Sequence, residues 1–229
     1  MMHQYRFLGT RLSKNSWEIL EKECHHLISV IRVKIGDVIE VVDGNGHLAK
    51  VEITAVKKKN VEFTVLEELK GDDHQKQHAI AIGALKPKSY DILIPILSEL
   101  GVGKLMIFHQ KGSGKFRIDK KLVERLNRQS LQSMKQCKRL MPLEVEAHDA
   151  IPFGEFARFN KKLIMDPSAS TSLKECDLGE SAVFVVGGEA GLSQEEFDLL
   201  RGNGFEPVVG SQHVMKATTA AIYVASFLA

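Results

Sequence analysis

Between Ala182 and Leu192 the chain reads AVFVVGGEAGL, an uninterrupted apolar run that ends in glycine. A run of four apolar residues, Val183 to Val186, implies a strand buried on both faces. Ser193-Gln194-Glu195-Glu196 follows, and a serine three residues before a glutamate is a capping box that opens a helix. A strand, a glycine-rich turn and a helix in succession imply an open α/β sheet, in which ligands bind beyond the carboxyl ends of the strands. Gly187, Gly188 and Gly191 let a ligand approach the backbone closely. Val208-Val209-Gly210-Ser211 forms a second glycine turn and supplies the other half of such a site.

The 229 residues allow one large or two small domains. Cys24, Cys137 and Cys176 are odd in number and far apart, which argues against a disulfide framework and fits a reducing cytoplasm. No C-x-x-C spacing suggests a metal. No segment approaches the roughly 20 apolar residues of a membrane span, and the first residues lack a signal-peptide run. A net charge of +2 does not by itself announce a nucleic-acid binder. From Lys104 to Arg139, however, basic residues dominate, with only Asp119 and Glu124 opposing them. That segment is either a source of phosphate contacts or a solvated helix face.

Residues 1–72 are expected to form a small β-barrel. Val38–Val42, His47–Ile53 and Val61–Val65 are strand candidates, and Asp43-Gly44-Asn45-Gly46 is a hairpin turn. A short helix is expected within Ile19–Val30. Lys70–Gln77 is polar and is taken as a linker. His74 and His78 have an i, i+4 spacing, but no third ligand accompanies them. From 73 to 229 strands alternate with helices, which implies a mostly parallel, helix-covered sheet. Its strands are expected at His78–Leu85, Lys104–Phe108, Lys162–Met165, Val183–Val186 and Pro207–Val209. Its helices are expected around Ile92–Leu100, Ile118–Gln136, behind Ser193, and at Lys216–Leu228.

Several familiar sites are excluded. Lys111-Gly112-Ser113-Gly114-Lys115 lacks the first glycine and the final Ser or Thr of a P-loop, having His109 and Phe116 instead. The glycine spacing at 187–191 is wrong for a dinucleotide fingerprint. No G-x-S-x-G nucleophile elbow is present.

The pair of late glycine turns, followed by Ala217-Thr218-Thr219-Ala220 and a terminal helix, resembles the SPOUT superfamily of knotted methyltransferases. More closely, the chain resembles the ribosomal RNA small subunit methyltransferase E family, which methylates uridine N3. Gly187, Glu189, Gly191, Leu192, Ser193 and Glu196 match that family's glycine-proline-glutamate-glycine-glycine turn and the residues after it. His26-Leu27, Val30-Ile31-Arg32, Gly36-Asp37, Asp43-Gly44, Gly46, Ser98–Val102 and Gln136–Pro142 extend the match over nearly the whole chain. The resemblance implies a PUA-like β-barrel in residues 1–72 and an α/β SPOUT domain with a trefoil knot in residues 73–229. It also implies a homodimer, S-adenosyl-L-methionine as cofactor, small-subunit ribosomal RNA as partner, and no metal or membrane.

By resemblance, the cofactor would be held by Met165, Gly187, Gly188, Glu189, Gly191, Val209, Gly210, Val214, Met215, Ala217 and Thr218. Methyl transfer to a uridine nitrogen needs a positioned base, for which Glu189 and His213 are candidates; Glu189 could equally cap the following turn. Arg32, Lys86 and Arg139 are candidates for RNA contact. The chain departs from the family at three places. Gly188 replaces the proline, Ala190 replaces a glycine, and Val214-Met215-Lys216-Ala217-Thr218 stands where the family has leucine-arginine-x-glutamate-threonine. If the turn needs a positive φ at Ala190, the methyl is unfavourable there. Two alternatives stay open on these grounds: a degenerate relative that binds RNA without methyl transfer, or an enzyme for a different RNA position.

Overall fold

The computed structural model describes residues 5–71, 78–110 and 118–228. Most of the expected linker, with His74, and the basic loop Lys111–Lys115 lie outside the described residues. The chain divides into two compact units, Met1–Asp73 with Met134–Pro142, and His74–Ser133 with Leu143–Ala229.

The first unit contains β1 (Arg6–Ser13), β2 (Ser16–Ile19), α1 (Glu21–His26), β3 (Val38–Val42), β4 (His47–Val56) and β5 (Val61–Lys70), in the sheet order β2-β1-β3-β4-β5. The Asp43–Gly46 turn forms as its residues dictate. Asp43 Oδ1 accepts the amides of Asn45 and His47, and Gly44 and Gly46 take φ of 72° and 91°. The expected helix within Ile19–Val30 starts only at Glu21, since Ile19 belongs to β2, and α1 widens into a π-helical turn, Leu27–Ile31, that Arg32 ends in the left-handed region. Glu68 on β5 accepts the Asn15 amide and pairs with Arg11. These contacts link the far strand to the β1–β2 hairpin and nearly close the sheet into a barrel. The Asn15 amide, with Arg11, holds the Glu68 carboxyl below the usual range against the opposing effect of burial. Phe7, Trp17, Leu27, Val41, Val51 and Ile53 fill the interior.

The stretch Met134–Pro142 completes this unit. Arg6 Nη1 donates to the Arg139 carbonyl at 2.9 Å, and the Gly46 amide donates to the Leu140 carbonyl at 3.2 Å. Lys135 pairs with the largely buried Glu23 at 2.6 Å.

In the second unit the elements run β6 (Ala79–Gly83), α2 (Pro87–Glu99), β7 (Lys104–Phe108), α3 (Lys120–Gln136), β8 (Glu144–His148), α4 (Phe153–Phe156), β9 (Lys161–Met165), β10 (Ala182–Val186), α5 (Gln194–Gly202), β11 (Glu206–Val208) and α6 (Ala217–Ala225). The strand order is β11-β9-β10-β6-β7-β8, and every pairing is parallel. Every residue of β6, β7 and β10 is buried. Alternation decides which layer each side chain enters. Ile80, Ile82, Leu105, Ile107 and Phe184 pack with Leu93, Leu97, Ala221 and Val224 from α2 and α6. Ala79, Ala81, Met106, Phe108, Val183 and Val185 face Phe156, Leu200 and Phe205 on the other side.

Two features were not apparent from the residue pattern. β8 is a polar edge strand, EVEAH, without an apolar run. Lys104, counted among the basic residues available to phosphate, is instead buried, with Glu146 at 2.7 Å and Glu144 and Glu155 each at 3.7 Å. A proline also sits inside α2. Pro95 cannot donate to the Asp91 carbonyl, and Gln129 Nε2 from α3 takes that acceptor at 2.9 Å.

Candidate functional site

At the carboxyl end of the parallel sheet, β9, β10 and β11 deliver three loops to one cavity of about 890 Å³. The loop after β10 contributes Gly187 to Leu192. The loop after β11 contributes Val209, Gly210, Ser211 and His213 to Thr218, and the end of β9 contributes Met165, Asp166 and Pro167. Leu85, Lys86 and Ser89, after β6, line the remaining side. Met165, Gly187, Gly188, Glu189, Gly191, Val209, Gly210, Val214, Met215, Ala217 and Thr218 are therefore brought together, and His213 joins them.

Local physics explains the shape of these loops. A Cβ on Gly187 would lie 2.7 Å from the Leu192 nitrogen, because the turn folds back on itself. A Cβ on Gly210 would lie 2.8 Å from Tyr223 and 2.9 Å from the Met165 and Met215 methyls. The positive φ in the first turn falls on Gly191, at 76°, and Ala190 is not among the residues with positive φ. Its methyl is tolerated for that reason. Ser193 and Glu196 form the expected capping box, with the Glu196 amide donating to Ser193 Oγ and the Ser193 amide donating to Glu196 Oε2. Tyr90 fixes the opposite wall, since its Oη accepts the Leu85 amide at 2.9 Å. Burial pushes the Tyr90 phenol up to about 12, so it stays neutral at physiological pH.

The charged groups of the cavity are few. Glu189 Oε2 lies 3.1 Å from Lys86 Nζ, and both side chains are about half exposed. Among the described residues Lys86 is the partner of Glu189, while capping of α5 belongs to Ser193 and Glu196. Lys86, a candidate for RNA contact, thus stands in the cavity wall. Asp166 is a second carboxylate there, and its Oδ1 accepts the Ser168 amide and hydroxyl at 2.9 and 2.8 Å. Arg32 and Arg139 belong to the other unit. Arg32 is exposed, and Arg139 is half-buried with its carbonyl engaged by Arg6.

The pattern of residues did not disclose Asp166, Pro167 or Gln110. Asp166-Pro167 could have been suspected from its place directly after a strand. Gln110 lies behind the glycine turn and bonds to it, and a lone glutamine carries no periodic signal. Among the described residues no group of three or more His, Cys, Asp or Glu side chains could hold a metal ion. Nor is any helix among them long and apolar enough to cross a membrane.

A parallel sheet with a cavity built from loops late in the chain, together with a separate barrel-like unit, defines a SPOUT-type α/β protein with a PUA-type companion. Residues 72–229 match the model of the RNA methyltransferase domain and residues 19–66 that of the RNA methyltransferase PUA domain. The chain belongs to the RNA methyltransferase family. It is 25% identical to the ribosomal RNA small subunit methyltransferase E of Mesomycoplasma hyopneumoniae, over 96% of each chain. It is 25% identical to the Helicobacter pylori protein of that name, over 96% of this chain and 98% of the relative. The fold is shared with a ribosomal RNA small subunit methyltransferase E from Neisseria gonorrhoeae solved with S-adenosyl methionine (TM-score 0.83, 20% identity, 99% and 97% coverage). A methyltransferase from Legionella pneumophila, in complex with the same cofactor, superposes equally well (TM-score 0.83, 21% identity, 99% and 97% coverage).

Proposed function

We propose that the chain is an S-adenosyl-L-methionine-dependent methyltransferase acting on N3 of a uridine in small-subunit ribosomal RNA. The observation that carries this reading is the single cavity that gathers both late glycine turns at the carboxyl end of the sheet. Its chemistry suits the cofactor. Glycine backbone at 187 and 210 can meet an adenine edge, and Met165, Val209, Val214 and Met215 offer apolar surface to its faces. The cofactor, when bound, supplies an electrophilic methyl on sulfur. The chain's own residues have two tasks: to place the base in line with that methyl and to accept the N3 proton. Glu189 is proposed as the acceptor, with Lys86 paired to its carboxylate; His213, in the lining of the same cavity, is the other candidate. Arg32 and Arg139 are proposed as RNA contacts from the barrel unit; the base to be modified must leave its stack to enter the cavity.

A homodimer working in the cytoplasm completes the proposal. Support for self-association comes from Ile92 on α2, 65% exposed, and Val214 just before α6, 82% exposed. The trefoil knot is supported by the backbone path. Val209 after β11 exchanges hydrogen bonds with Thr171 and Leu173 in the loop after β9, and α6 then returns to pack on β6 and β10. Division at 72–73 into an RNA-binding barrel and a catalytic domain is proposed with the stretch Met134–Pro142 added to the barrel.

A second reading rests on Met215 and Ala217, which face the cavity where the resembling family has arginine and glutamate. It is a relative that binds RNA without methyl transfer, or one that methylates another position. Calorimetry with S-adenosylmethionine and mass mapping of ribosomal RNA from a deletion strain distinguish these readings. Cofactor binding with loss of one N3-methyluridine from small-subunit RNA is expected. Binding without any lost modification favours the inactive relative, and loss of a different methyl group redirects the substrate.

A further inference from the structure

Gln110 stands two residues beyond the end of β7 and is 8% exposed. Its Oε1 accepts the Gly188 amide at 2.7 Å. Its Nε2 donates to the Gly191 carbonyl and to Glu196 Oε2, both at 3.1 Å. Glu196 Oε2 also accepts the Ser193 amide at 2.8 Å. One buried amide therefore grips the turn at both ends and holds the carboxylate that caps α5.

The surroundings are built around this contact. A Cβ on Gly83, the last residue of β6, would fall 1.9 Å from Gln110 Oε1 and 2.5 Å from the Gly188 nitrogen. A Cβ on Gly188 would fall 2.6 Å from the same oxygen. Both glycines clear the space that the amide occupies. Gly188 also stands where the resembling family has proline. Proline carries no N–H and restrains its own φ, whereas glycine donates freely and restrains nothing. A turn with glycine at 187, 188 and 191 has many conformations to lose on binding, and an outside strut removes that cost before the ligand arrives.

We propose that Gln110 is a positioning residue that fixes the Gly187–Gly191 turn in its cofactor-binding shape, in place of the rigidity a proline would provide. This rests on the S-adenosylmethionine reading of the cavity. Gln110 acts from behind the turn through the Gly188 amide, the Gly191 carbonyl and Glu196.

The test uses the full chain and two variants, with S-adenosylmethionine affinity by calorimetry and amide exchange at Gly188 by NMR. Q110A is expected to weaken affinity by about tenfold and to speed Gly188 exchange by a similar factor, the effect of about one lost hydrogen bond. Exchange in the middle of α5 and of β10 should stay slow. Q110E keeps the acceptor for Gly188 but sets a carboxylate against Glu196. Two carboxylates in contact share a proton, which raises one of the two titrations. Its affinity should therefore be low at pH 8 and recover on acidification, whereas the parent chain shows no such gain. Unchanged affinity and unchanged Gly188 exchange in Q110A overturn the proposal. So does a Q110E affinity without recovery at low pH. If the parent chain itself fails to bind S-adenosylmethionine, the cofactor reading falls, and unaltered Gly188 exchange in Q110A then decides against Gln110 as the strut of the turn.

Discussion

Glu189 carries the chemistry proposed for this site, and its surroundings distinguish acting on the substrate from supporting the fold. A carboxylate that caps a turn would accept backbone amides. That task falls to Ser193 and Glu196, while Glu189 reaches Lys86 across the cavity. Removing the negative charge should therefore leave the turn standing and abolish proton acceptance. E189Q is expected to lower the methyl-transfer rate by about a hundredfold or more, the usual contribution of a positioned base, with cofactor affinity within about threefold of the parent. H213A should retain transfer within about tenfold. A parallel fall of affinity and rate in E189Q would assign Glu189 to holding the cofactor, and a larger loss in H213A would move the base to the histidine. Glu189 was legible in the sequence because it lies between glycines directly after an apolar run. Gln110 was not, because the residues it contacts, Gly188, Gly191 and Glu196, lie about eighty positions away.

Elements differ in how plainly their residues announce them, and the difference follows from burial. β6, β7 and β10 are buried on both faces, so apart from Lys104 at the start of β7 each is an apolar run, and the sequence locates them to within two residues. β8 lies at the sheet edge and satisfies its backbone on one side only, so nothing requires its side chains to be apolar. β1 mixes Phe7 and Leu8 with Gly9, Thr10 and Arg11, since its second half is exposed, and β2 is only four residues long. The start of the central sheet carries a titratable group. His78 Nδ1 accepts the Ala182 amide at 3.1 Å, joining the chain ahead of β6 to the first residue of β10. Burial pushes the His78 imidazole below its ordinary value, and protonation at Nδ1 would break the bond. With the folded value depressed, its stabilisation is complete above about pH 6.5 and is lost as pH falls through the folded value. H78N keeps an acceptor that does not titrate. Its melting temperature should fall less between pH 7.5 and 5.5 than that of the parent, and equal losses would show that His78 does not contribute to the pH dependence.

At the scale of the whole chain, the order of residues and the grouping of residues part company. Composition changes at 70–77, and a break there is the natural inference from sequence, yet Met134–Pro142 belongs with the barrel. Nothing periodic in that stretch signals where it packs, because two of its contacts are made through backbone carbonyls, which every residue carries. The Arg139 carbonyl takes Arg6, the Leu140 carbonyl takes Gly46, and Lys135 neutralises Glu23. A fragment of residues 1–72 would keep the interior of Phe7, Trp17, Leu27 and Val41 but lose these contacts together with the buried Met134. Losing Lys135 leaves the carboxylate of Glu23, about nine-tenths buried in the whole chain, without its partner. Breaking one side of such a pair costs about 3 kcal/mol, and a barrel this small has little stability to spare. Residues 1–72 alone should therefore melt well below the same fragment joined through a flexible linker to residues 134–142. In the fragment alone, E23Q should raise the melting temperature, because it removes the stranded charge; in the full chain it should lower it, because the Lys135 pair is intact there. The same sign in both proteins would mean that Lys135 does not hold Glu23 and that the barrel is complete without the distant segment.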